Sequence, residues 1–192
     1  IIRKKEFLKI CDFLDKINLT YFLNTGILLG AIREKNFIKW DWDVEISVMS
    51  DDFYKNFDLI YKNIKKKGFK IIQKDKKKDS LKIDFFGACP KETTRYTIFS
   101  WNYSIADDVY WRKDKIIPSK YLKKFSKINF FGRKFNAPNN PKQYLKYTYG
   151  NWKKPFRTAN KDLYLTTNFK RKELSIKIFI KKVLIKVYSY LK

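Results

Sequence analysis

The sequence predicts an α+β (α/β) domain, a small mixed β-sheet flanked by helices. Three observations carry this. Apolar residues recur at helical spacing in 3–17 and 53–64, acid and apolar residues alternate in Asp43-Val44-Glu45-Ile46, and two short β-rich runs follow at 69–73 and 81–86. The resulting order is helix, strand, helix, strand, helix, strand, strand. The 192 residues suit one domain, and an apolar content of 44% is enough to build a core.

Taken in order, residues 3–17 form the first helix, with Phe7, Ile10, Cys11, Leu14 and Ile17 on its apolar face. A short strand at 20–24 runs into Asn24-Thr25-Gly26, and a short helix occupies 27–34. Residues 36–40 connect to a strand at 44–49. Ser50-Asp51-Asp52 caps the next helix, which Gly68 stops. A lysine-rich turn at 74–80 joins the strands 69–73 and 81–86. Residues 87–117 show no clear period. The runs 126–131 and 133–136, joined at Gly132, suggest a hairpin. Asn140-Pro141 opens a final helix that closes near Tyr149-Gly150.

Composition excludes several chemistries. There is no histidine and there are only two cysteines, Cys11 and Cys89. A Cys/His zinc cluster and Ser-His-Asp or Cys-His nucleophiles are therefore ruled out, and Cys11 belongs to a core face. Carboxylates, Lys, Arg, Tyr or a hard metal held by oxygen must do any chemistry. The net charge of +25 suits a phosphate-rich partner, but the lysine excess beside many Ile, Asn, Tyr and Phe is also the mark of an AT-rich genome. The basic residues are dispersed and acids sit in the most legible strand, so nucleic acid is a disfavoured partner. No signal peptide is legible and no apolar run reaches the length of a membrane span, which predicts a cytoplasmic protein.

The chemistry concentrates between Asn24 and Ile46. Asp43 and Glu45 alternate on a strand and so share one face, while Val44 and Ile46 face the core. Two adjacent carboxylates repel, and a hard divalent cation relieves that. Asp84, another acid inside an apolar strand, is placed to join them. Such a set holds Mg²⁺ against phosphate oxygens and orients an attacking hydroxyl. Upstream, Thr25-Gly26 lies at a strand-to-helix hand-over, where glycine admits a phosphate to backbone N–H groups. Arg33 either reaches that phosphate or pairs with Glu34 or Asp41 on the surface.

These residues resemble the signature of the LicD/fukutin family, roughly T-G-x-L-L-G-x-x-R followed by I-P-W-D-D-D-I-D-I. Here it stands as Thr25-Gly26-Ile27-Leu28-Leu29-Gly30-Ala31-Ile32-Arg33 and Ile38-Lys39-Trp40-Asp41-Trp42-Asp43-Val44-Glu45-Ile46. Ile83-Asp84-Phe85-Phe86, Phe131-Gly132-Arg133, Ala137-Pro138, Tyr144-Leu145 and Tyr149-Gly150-Asn151-Trp152 with Pro155 are also similar. The resemblance spans about residues 5 to 157, within a domain drawn at 1–168.

The resemblance implies a nucleotidyltransferase-like fold. It also implies transfer of a substituted phosphate from a CDP-linked donor to a glycan hydroxyl, with Mg²⁺ or Mn²⁺. By carry-over Asp43, Glu45 and Asp84 are the catalytic metal ligands. Thr25, Gly26, Leu29, Gly30, Arg33 and Asp41 fall on the nucleotide and phosphate side. Two positions depart from the pattern: Trp42 stands where the family has the middle acid of W-D-D-D, and Glu45 replaces its final Asp. Plain nucleotidyl transfer and a non-catalytic scaffold are the other readings.

Trp42, Trp101 and Trp152 are candidate contacts for donor or acceptor, against core packing as the commoner fate of such rings. Asp107 and Asp108 are candidates for the acceptor's general base. In 169–192, Ile176, Phe179, Ile180, Val183 and Val187 share a helical face opposite Lys177, Lys181, Lys182 and Lys186. This basic amphipathic helix either lies on an anionic membrane, at the inner face beside a lipid-linked glycan acceptor, or packs on the domain.

Overall fold

The computed structural model describes residues 1–77, 80–89, 94–113, 115–158 and 160; the basic stretch 169–192 and the membrane contact assigned to it lie outside these. Four α-helices are described: α1 (Ile2–Lys16), α2 (Thr25–Leu29), α3 (Ser50–Lys66) and α4 (Pro141–Tyr149). The strands are β1 (Tyr21–Leu23), β2 (Asp43–Met49), β3 (Lys70–Asp75), β4 (Lys82–Phe86), β5 (Arg95–Ser104), β6 (Val109–Arg112), β7 (Lys115–Pro118), β8 (Phe125–Phe130) and β9 (Arg133–Pro138). One mixed sheet joins them in the order β3-β4-β5-β2-β1-β9-β8, with β6 and β7 extending from the distal half of β5. β2 runs parallel to β5 and antiparallel to β1.

Helix α3 packs against β2, β3 and β5. Val44, Ile46 and Val48 of β2 are fully buried, as are Ile83 and Phe85 of β4 and Tyr96 and Ile98 of β5. Phe53, Phe57, Ile60 and Ile64 of α3 are buried as well, at the spacing that gives one apolar stripe. Asp51 and Asp52 in its first turn and Lys65 and Lys66 in its last complement the helix dipole. The expected cap takes a different form: Ser50 is already helical and buried, and no side chain caps the helix. Gly68 follows at φ +84°, a left-handed turn that glycine takes without a Cβ clash.

α1 joins the sheet through Tyr96, whose hydroxyl donates to Glu6 Oε2 at 3.0 Å. Its Phe7 enters a cluster with Phe37, Phe130, Phe131 and Phe135. The illegible region is β5, β6 and β7. From Tyr96 to Asn102 every residue of β5 is buried, so the strand shows no apolar–polar alternation. Among the described residues no helix is long and apolar enough to cross a membrane.

Cys11 is buried on the core face of α1. Burial pushes its thiol up to about 12, against a weaker opposing hydrogen bond from Tyr21. The thiol therefore stays neutral in the folded chain while an unfolded thiol ionises near pH 8.5. A folded-state value above the unfolded one contributes stability that is complete below the unfolded value and disappears as pH rises. Thermal melts should thus decline from about pH 8.5 up to about 12, and Cys11→Val should remove the thiol's share of that decline.

Candidate active site

The opposite face of β2 carries Asp43 and Glu45. Asp43 and Glu45 alternate along β2, about 6.6 Å apart by strand rise. In register, Asp43 lies beside Arg95 and Glu45 beside Thr97; one strand further, Thr97 lies beside Asp84. Residues side by side on adjacent strands share a face. One row across the sheet is therefore Glu45, Thr97, Asp84, and the next begins Asp43, Arg95.

The hand-over from β1 to α2 meets this face. Thr25 Oγ1 donates to Glu45 Oε2 at 2.7 Å. Thr25 holds φ 48°, a left-handed conformation that costs a β-branched residue about 1–2 kcal/mol. Asn24 overdetermines it. The fully buried Asn24 side chain accepts from Thr25 N at 2.8 Å and from Tyr144 Oη at 2.7 Å, and donates to Ser47 Oγ at 3.4 Å. Burial holds the Tyr144 phenol well above its ordinary range, so it remains a donor. Sequence reasoning named Asn24 and Tyr144 but gave them no role, and missed Ser47; an Asn just ahead of a helix start was the available signal.

The loop into β2 is clamped from α1. Arg3 Nη1 donates to the Asp41 carbonyl at 2.6 Å and Nη2 to the Asp43 carbonyl at 2.7 Å, while the guanidinium lies 4.4 Å from the Phe37 ring centroid. Both carbonyls flank Trp42, which is 58% exposed. The Arg95 guanidinium lies 5.9 Å from the Trp42 ring centroid.

Several predicted site residues take other roles. Asp84 lies in the row of Glu45, two strands away, and among the described residues no group of three or more metal-ligating side chains forms. Its Oδ2 receives Lys82 Nζ at 2.8 Å and Arg95 Nη2 at 2.6 Å, and its Oδ1 receives Thr97 Oγ1 at 2.7 Å. Burial opposes its charge, but Lys82, Thr97 and Arg95 together outweigh burial and hold its pKa below the usual carboxylate range. Gly26 faces Asp41, whose Oδ2 would lie 2.5 Å from an added Cβ. Leu29 is buried in the core. Arg33 Nε pairs with Glu34 Oε1 at 2.6 Å and Nη1 reaches the Trp152 carbonyl at 2.9 Å, the surface-pair alternative with an added tie to the segment after α4.

Trp101 is 3% exposed because it lies on fully packed β5, and its indole N–H donates to Ser47 Oγ at 3.2 Å. Trp152 is half-buried against the core. Asp107 and Asp108 lie beyond the far end of β5, about 23 Å of strand from Thr97. Asp108 is consumed by Lys123, Tyr103 and Ser119, which hold its carboxyl well below the ordinary range. Asp107 accepts from Ser104 Oγ at 3.0 Å. The turn geometry of the pair leaves neither near Asp43.

Gly30 is a packing glycine. A Cβ there would meet the Asn36 carbonyl oxygen at 2.6 Å and Ile38 N at 3.2 Å, both backbone atoms. Gly30→Ala should cost about 1–3 kcal/mol, as overpacking does, because the 36–38 connector must move. Gly26→Ala should cost less, since only a carboxylate tip must yield. Urea unfolding of both variants checks the order.

A mixed sheet flanked by helices, with alternating carboxylates on a central strand beside a strand-to-helix turn, defines a nucleotidyltransferase-like domain. Similar solved structures agree on the fold. The antibiotic-resistance factor ANT(2'')-Ia aligns over 100% of both chains at TM-score 0.55 and 12% identity. The lincosamide antibiotic adenylyltransferase LnuA, lincomycin-bound, aligns over 89% of this chain and 95% of its own at TM-score 0.52 and 18% identity.

A model of the LicD/FKTN/FKRP nucleotidyltransferase domain matches residues 18–140, and the chain belongs to that family. It is 26% identical over 148 residues to ribitol 5-phosphate transferase FKRP of Mus musculus, covering 71% of this chain and 29% of that protein. Over 45 residues it is 36% identical to the lipopolysaccharide cholinephosphotransferase LicD of Haemophilus influenzae, covering 23% of this chain and 17% of that one. The chain thus spans under a third of the length of these curated relatives.

Proposed function

We propose that this domain transfers a substituted phosphate from a CDP-linked donor to a hydroxyl of a cell-surface glycan. The carrying observation is the Asp43–Glu45 pair on one sheet face, with Thr25 oriented onto Glu45, inside the family's signature. The named activities of two relatives, a ribitol 5-phosphate transferase and a cholinephosphotransferase, support the reaction class.

The donor set fits Mg²⁺ or Mn²⁺. Mg²⁺ binds through one or two carboxylates and completes its shell with water and substrate phosphate oxygens. Asp43 and Glu45 would hold it. When bound, it supplies Lewis-acid stabilisation of charge on the transferring phosphate. The chain's own residues fix that geometry: Thr25 restrains the Glu45 carboxylate, Asn24 restrains Thr25, and Arg3 restrains the backbone on both sides of Trp42. In the reaction the acceptor oxygen forms a bond to the donor phosphorus and gives up its proton to solvent, the bond to the nucleotide's bridging oxygen breaks, and CMP leaves.

The test is CMP release across a panel of CDP-linked donors, with Mg²⁺ and glycan acceptors. Acceptor-dependent CMP release from one donor is the expected result. Pyrophosphate release from CTP without CMP release from any donor would instead show nucleotidyl transfer.

A further inference from the structure

Lys82, Arg95 and Thr97 lie outside the signature motif, yet together they enclose Asp84. That carboxylate is fully buried and both its oxygens are engaged. Lys82 and Asp84 share one face of β4 by alternation, and Arg95 and Thr97 share the matching face of β5. The β2–β5 register then sets Arg95 beside Asp43 and Thr97 beside Glu45. Two cations therefore stand one and two strands away from the carboxylate pair, on its side of the sheet.

Charge decides what such a cluster takes. A divalent cation seeking Asp84 would have to displace an ammonium and a guanidinium, and would then sit against both. One carboxylate shared by two cations instead leaves an excess positive charge facing the site. Arg95 also has donors to spare. A guanidinium carries five N–H bonds, and its Nη2 meets Asp84. The Arg95 side chain is 33% exposed and that of Lys82 15%, so neither is sealed in the core. An arginine anchored on one carboxylate is pre-organised to grip phosphate oxygens.

We propose that Lys82 and Arg95 form the anion cradle of this site, binding the diphosphate of a nucleoside-diphosphate donor, and that Asp84 is their buried counter-charge and not a metal ligand. This rests on reading the Asp43–Glu45 face as the donor site. It divides the face by charge: metal on β2, phosphate on β4 and β5. Trp42, beside the Arg95 guanidinium, forms the exposed wall of the cradle.

Two titrations on the full chain test it, with inorganic pyrophosphate and Mn²⁺ as probes. Pyrophosphate affinity is measured calorimetrically without divalent cations, and Mn²⁺ affinity by electron paramagnetic resonance. Arg95→Gln and Lys82→Gln should each weaken pyrophosphate about tenfold, the scale of a lost charge-assisted hydrogen bond, and leave Mn²⁺ affinity unchanged. Arg95→Lys, which keeps the charge on Asp84, should retain part of the pyrophosphate affinity and serves if Arg95→Gln fails to fold. Asp84→Asn should keep Mn²⁺ affinity where Asp43→Asn loses it. Loss of Mn²⁺ in Asp84→Asn, or unchanged pyrophosphate affinity in both glutamine variants, overturns the cradle. Neither titration depends on turnover, so a silent donor panel with intact titrations would refute the transfer reaction alone.

Discussion

Asp43→Asn is expected to lower kcat/KM for CMP release by about a thousandfold, equivalent to about 4 kcal/mol of transition-state stabilisation. The substitution is isosteric, and it leaves the backbone pairing of Asp43 with Arg95 and the Arg3 clamp on the Asp43 carbonyl in place. What disappears is one of two negative charges on the β2 face. A divalent cation held by two carboxylates and phosphate oxygens loses half its protein charge. Thermal stability should change little, because the backbone pairing is kept while the repulsion with Glu45 and the attraction to the neighbouring Arg95 are lost together. The pairing of lost turnover with retained stability separates a functional carboxylate from a structural one. Activity within tenfold of the native chain would remove Asp43 from the metal site. Glu45→Gln should behave similarly, with the Thr25 hydroxyl still bonded to the remaining amide oxygen.

How much of this was legible in the sequence follows from what each residue's signal depends on. α1 and α3 announce themselves because one face of each is buried and the other is wet, which writes a 3.6-residue period into the chain. β2 is legible for a related reason: core and site lie on opposite faces, so Val44 and Ile46 alternate with Asp43 and Glu45. β5 is buried on both faces, and its polar Thr97, Ser100 and Asn102 are buried along with its Ile98. Its polar residues then look like loop and its register cannot be read. Losing β5 loses Arg95 and Thr97, and with them the reason Asp84 is buried. An acid within Ile83-Asp84-Phe85 reads as a metal ligand, and the local sequence gives no sign that Arg95 of the neighbouring strand pairs with it. The roles of Arg3 and Asn24 escape for another reason. Their partners, Asp41, Asp43, Ser47 and Tyr144, lie 23 to 120 positions away, and two are backbone carbonyls that any residue would offer.

Phe7→Ala should cost about 3–5 kcal/mol of unfolding free energy, a large share of the roughly 5–15 kcal/mol that holds a domain of this kind together. Phe7 is fully buried and meets Phe37, Phe130, Phe131 and Phe135 at centroid distances of 5.5 to 6.4 Å. Those rings come from the 36–38 connector and from the β8–β9 hairpin, so removing Phe7 opens a void that no single element can close. The loss also bears on chemistry. Phe7 lies one helical turn from Arg3, and Phe37, its edge-on partner, also lies under the Arg3 guanidinium. A loosened α1 therefore releases the clamp on the Asp41 and Asp43 carbonyls, although residues 1–17 precede the family-matched region. Phe7→Leu should recover much of the stability by refilling the space. Urea unfolding with an unchanged denaturant slope measures the first effect, and CMP release well below the melting temperature measures the second. A loss under about 1 kcal/mol would mean that the cluster repacks and that α1 is peripheral; a large loss with undiminished turnover would mean that the loop around Trp42 holds its shape without the helix.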